Sequence, residues 1–143
     1  MANDPLAAIV GHLHSHPDIG GAAQTWVQAP HLVTPLSADV QRAVTVEDSG
    51  GGSGTGQLAM AQYTSGRFDV LTLAPRADLA KQLALEVEEA ILETRGKLVV
   101  YGAGVPRPSV KFITMVRSGG FISLLDDLTK WPAVLSVYSF NAS

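Results

Sequence analysis

Apolar residues recur at two different periods along this chain, and the switches between them mark its elements. Asp4 followed by Pro5 reads as a helix start, with Asp as N-cap and Pro at the first helical position, where its missing N–H costs nothing. Leu6, Ile9, Val10 and Leu13 then fall at helical spacing as far as about His16, and Pro17 ends the run. Residues 18–39 are rich in Gly, Ala and Pro without a period. They read as an irregular connection with one short strand around Trp26 and Val27. In VQRAVTVED the pattern becomes alternating, with Val40, Val44 and Val46 on one face and Gln41, Thr45 and Glu47 on the other, which predicts a half-buried strand. The stretch GRFDVLTLA, from Arg67 to Ala74, is apolar on both faces and is expected near the middle of a sheet.

The best-marked helix opens at Pro75, carries Asp78 in its first turn where the helix dipole favours an anion, and closes at Arg95 before Gly96. Ala80, Leu83, Ala84, Val87, Ala90 and Ile91 make its core stripe. Leu85 and Leu92 fall off that stripe and are candidates for contact with a neighbouring subunit, although a wide apolar stripe also accounts for them. KLVVYG and SVKFITMVRSGG read as two strands separated by a turn at Pro106 to Pro108. FISLLDDLTKWP reads as a loop or a single helical turn, and AVLSVYSF as a last strand. Strands mostly adjacent in sequence, with two helices, predict an α+β domain: a mainly antiparallel sheet of about five strands with both helices on one face. At 143 residues the chain fits one domain, 1–143.

Composition narrows the function classes. Charged residues make up 16% against roughly 25% in ordinary soluble chains, a depletion that interfaces between subunits share. A net charge of -3 and scattered basic residues argue against a nucleic-acid binder. There is no apolar run long enough to span a bilayer and no basic n-region of a signal peptide, so the expected setting is a cytoplasm, with no membrane partner. The chain has no cysteine, which removes disulfides, thiolate catalysis and cysteine-bound zinc.

Candidate chemistry is sparse. His12 and His16, at i and i+4, share a helix face and are placed for one metal ion; His14 points elsewhere, and a third ligand is lacking unless His31 supplies it. Solvated or interface histidines are the simpler reading. Gly50, Gly51, Gly52, Gly54 and Gly56 crowd the segment 49–57, but no Lys-Ser or Lys-Thr and no helix start follow, so a phosphate loop is excluded. A mobile surface or assembly loop fits better, because glycine has the largest backbone entropy to lose. Adjacent Asp126 and Asp127 point in different directions on a strand or a helix and form no catalytic dyad by themselves. Neither G-x-S-x-G nor S-x-x-K occurs.

Three stretches in order, DPLAAIVGHLHSHPDI, RFDVLTLAPRADLAKQLALEVEEAILETRG and LLDDLTKWPAVLSVYSF, resemble the tail terminator (tail completion) proteins of long-tailed bacteriophages. They cover about half of the chain, and the last contains the acidic turn and the Trp131-Pro132 pair. The glycine segment and YGAGVPRPS depart from the family pattern. The resemblance implies a homo-hexameric ring that caps the tail tube, ends its polymerisation and joins the tail to the head. The implied partners are further copies of the chain, the tail tube protein and the head–tail connector (neck) protein. DNA would pass through the ring without specific binding, and the site would be the head-proximal end of the tail in the virion, after assembly in the host cytoplasm. The family has no catalytic residues or cofactor to carry over. Within that picture Leu85, Leu92, the five glycines, Asp126, Asp127 and Trp131 are the assembly candidates, with Glu47, Asp126 and Asp127 as candidate acids of a negative lumen. Other head–tail connectors, minor tail proteins, or a small metal- or ligand-binding domain built on His12 and His16 are the alternatives.

Overall fold

In the computed structural model, residues 4–21, 25–28, 41–48, 54–55, 64–126 and 130–143 are described. Helix α1 spans Pro5–Ser15, and the Asp4 carboxylate accepts hydrogen bonds from the N–H groups of Leu6 and Ala7 at 3.0 and 3.3 Å, the capping role its position predicts. Strands β1 (Thr25–Gln28), β2 (Arg42–Asp48), β3 (Gly54–Thr55) and β4 (Thr64–Leu73) precede helix α2 (Ala77–Leu92); β5 (Leu98–Val100), β6 (Ser109–Arg117), β7 (Ile122–Leu125) and β8 (Pro132–Ala142) follow.

The sheet order is β1-β2-β4-β8-β6-β5, with β3 against β4 and β7 against β8. Among the described residues only β1 and β2 pair in parallel, so the sheet is mainly antiparallel, as expected, with one parallel edge. β4 does lie centrally, between β2 and β8, and pairs with β8 over ten residues from Thr64↔Ala142 to Leu73↔Ala133. Because directly paired residues share a face, the register sorts the sheet into two sides. Val44, Val46, Phe68, Val70, Met115, Tyr138 and Phe140 point to one side, where they form a single core with Ile9 and Leu13 of α1 and Leu83, Val87 and Ile91 of α2. Both helices therefore lie on one face, and the other face carries neither.

All six residues of the predicted α2 stripe are buried. The helix is shorter than its sequence limits. Pro75 and Arg76 are not helical, Arg76 having extended backbone, and after Leu92 the chain turns, with Gly96 at φ 74° donating its N–H to the Phe112 carbonyl. Leu92 is half-buried against the main core, so it belongs to the wide stripe, whereas Leu85 is 52% exposed. The segment read as a loop or helical turn before Trp131 contains instead the strand β7, which forms a hairpin with the start of β8 through Ile122↔Leu135 and Leu125↔Pro132. Pairing satisfies its backbone; all four of its side chains are exposed, so no alternation marks it in the sequence.

Candidate assembly surface

The helix-free face follows row by row from the register. Ala43, Leu73, Ala133 and Leu124 form one row, and Thr45, Leu71, Leu135 and Ile122 the next. Then come Glu47, Asp69 and Val137; Arg67, Ser139 and Val116; and Ser65, Asn141 and Thr114. The face thus divides into an apolar half at the β7–β8 hairpin and a polar half at the far end. Trp131 packs half-buried on Ala43, Leu73 and Ala133, closing one end of the apolar half. Beyond it the surface opens: Ile122 is 52% exposed and Leu124 45%, neither covered by a helix. In the polar half the Ser65 hydroxyl bonds the Asn141 carboxamide and the Thr114 hydroxyl accepts from the Asn141 N–H at 3.1 Å.

On the opposite side, α2 is tied to this edge by charge. The Arg117 guanidinium lies 3.0 Å from the Glu88 carboxylate and 4.4 Å above the Phe121 ring, so the bend between β6 and β7 is pinned to the helix. Beneath it the Tyr138 hydroxyl is fully enclosed, near the Ser136 side chain but without a hydrogen bond of ordinary geometry, and burial pushes its pKa up to about 12.

His12 and His16 bond within the chain. His12 Nε2 donates to the Ala90 carbonyl at 2.9 Å, satisfying a group in the last turn of α2. Burial holds the His12 pKa below its usual value, so the ring stays neutral. His16 Nδ1 accepts from the Asp18 N–H at 3.2 Å, which leaves its Nε2 facing the Glu93 carboxylate at 3.4 Å. These bonds fix the rings as a clip between α1 and the end of α2, and among the described residues no group of three His, Asp or Glu side chains is arranged to hold a metal ion.

The remaining assembly candidates scatter. Gly54 lies in β3, paired with Ser65, while Gly50, Gly51, Gly52, Gly56, Asp127 and His31 fall outside the described residues. Asp126 opens the hairpin turn and Glu47 lies near the far end of β2 with β4 and β8 between, so these acids do not form one cluster. Leu85 sits on the solvent side of α2, away from the apolar half-face. What sequence reasoning missed is the β7 pair, Ile122 and Leu124; its signal was five uncharged residues between Gly120 and Asp126. No helix among the described residues is long and apolar enough to cross a membrane. No protein-family model matches this chain, and no curated protein is significantly similar to it.

Proposed function

We propose that this chain is a structural virion subunit of the tail-terminator type, assembling into a hexameric ring at the head-proximal end of a tail, with the tail tube and the neck connector as its neighbours. The observation that carries the reading is the pair of exposed apolar side chains on the hairpin, Ile122 and Leu124, at the margin of a half-face whose Ala43, Leu73 and Ala133 are buried. Covering a half-exposed Ile or Leu is worth about 1 kcal/mol for each side chain, and a closed ring repeats that contact at every joint. The three stretches that resemble the family also share one core: α1, β4 with α2, and the β7–β8 hairpin, with α2 packed over β4 and β8 and α1 beside α2 against β1, β2, β5 and β6. A head-to-tail ring needs two different patches on each subunit; the half-face is one, and the outer side of α2 with Leu85 is the second. No catalytic step is assigned to it.

The test is position and shape. Electron microscopy of purified particles labelled against this chain should find a six-fold ring between tail tube and neck. Label on the capsid, on the distal tail, or absent from particles would overturn the proposal.

A further inference from the structure

β6 and β7 run end to end in the same direction along one side of β8, interrupted only at residues 118–121, where the Ser118 N–H still donates to the Val137 carbonyl at 2.7 Å. β5 pairs only with Ser109 to Lys111, and Phe112 adds one bond to Lys97. From Ile113 to Leu125 no further strand lies outside this edge among the described residues. Open edges are templates for pairing, and chains guard them with charge. Neither edge strand contains charge or proline; β5 offers three residues with Lys97 before them, whereas β7 offers four, Ile122, Ser123, Leu124 and Leu125, all exposed.

We infer that β7 pairs antiparallel with β7 of a second copy, across a two-fold axis at Ser123. Register selects this arrangement. A shift of one residue would set opposite faces against each other, so the axis must pass through a residue. With Ser123 on the axis, Ile122 faces Leu124 of the partner subunit on the helix-free side, twice over. The small Ser123 meets its counterpart on the helix side. Asp126 falls opposite Gly120 of the partner subunit, so no like charges meet. An axis at Leu124 would instead set the Asp126 carboxylate against Ile122 of the partner subunit. The row Leu71, Leu135, Ile122 then continues into Leu124, Ala133 and Leu73 of the partner subunit, joining two sheets into one. This contact is two-fold, whereas a ring closes head to tail, so it does not rest on the ring reading.

Sedimentation velocity of the purified full chain tests it. A small edge contact of this kind predicts a dimer with Kd on the order of 10 µM. Ile122→Lys alone and Leu124→Glu alone each weaken dimerisation at least about tenfold. The double variant recovers to within about threefold of wild type, because each introduced lysine faces an introduced glutamate only in this register. A wild-type chain that stays monomeric at about 500 µM, roughly fifty times this Kd, overturns the proposal. So do single variants that associate as wild type does, or a double variant as weak as the singles. A hexamer unaffected by either single variant refutes the β7 contact and also removes the half-face as a ring patch, while the position of a ring in the particle is tested separately by microscopy. Amide exchange of β7 in the unsubstituted chain should slow as concentration rises, and exchange independent of concentration refutes the contact without any change of sequence.

Discussion

Adding one methyl group at Gly66 probes how tightly the centre of the sheet is packed. Gly66 sits on β4 directly opposite Phe140 on β8, and the ring lies over it: a Cβ there would come within 2.9 Å of the ring's Cζ and 3.1 Å of Cε1. The ring has little room to retreat, since it is only 8% exposed and meets Phe68 at 5.9 Å and Phe112 edge-on at 5.7 Å between centroids. Forcing a methyl into such packing costs about 1–3 kcal/mol. Replacing glycine by alanine at an ordinary strand conformation returns about 0.4–1 kcal/mol by narrowing the unfolded ensemble. Gly66→Ala should therefore be less stable by about 0.5–2 kcal/mol, a fall in Tm of roughly 2–6 °C for a domain of this size. Denaturant titration should show a lower midpoint at an unchanged m-value. The decisive control is a double-mutant cycle. In a Phe140→Ala background, itself destabilised by about 3–5 kcal/mol, the same Gly66→Ala change should become stabilising by about 0.4–1 kcal/mol. Equal effects in both backgrounds, or a Gly66→Ala chain as stable as wild type, would refute the steric account.

Because His12 has a folded-state pKa below 6.5, the unfolded chain binds its proton first. Stability from this group is whole above that pH and declines as pH falls below it towards the folded value, and His12→Gln should flatten the decline in thermal melts between about pH 7 and pH 5. Tyr138→Phe removes an enclosed hydroxyl that makes no hydrogen bond of ordinary geometry and should leave stability unchanged or raise it by up to about 1 kcal/mol; a loss of more than about 1 kcal/mol by chemical denaturation would show that the nearby Ser136 side chain bonds it. Leu13→Ala should cost about 2–5 kcal/mol, since Leu13 is fully buried and α1 is part of the main core. Leu85→Ser should change monomer stability by less than about 0.5 kcal/mol, while Leu92→Ser costs more than 1 kcal/mol, a contrast thermal melts can read.

What the sequence reveals depends on whether one side of an element is buried alone. The stripe of α2 was legible in full because a helix packed on one sheet face buries a single run of positions, and Ala80 to Ile91 keep that period. The alternation in β2 was legible in part: Val44 and Val46 do face the helices, but Thr45 is buried as well, under the second face. β7 was not legible, because a strand exposed on both faces has no period and the residues that define it, 132–135, lie across the turn. Neither was the His12–Ala90 bond, which joins positions 78 apart; helical spacing puts His12 and His16 on one face, but their partners on α2 lie far away in the sequence. Leu92 needed the same three-dimensional context to be told from Leu85.

The central place of β8 also sets the order in which the molecule can be built. Among the strands it is last along the chain, yet β4 pairs with one of its sides and β6 and β7 with the other. Residues 64–73 must wait for residues 133–142, and until these are synthesised α2 has only half of the surface it covers. Sheet closure through such distant pairing is slow, in the range of milliseconds to seconds. During synthesis β2 and β4 can zip as a hairpin, but the two halves of the sheet join only when the last strand slides between them.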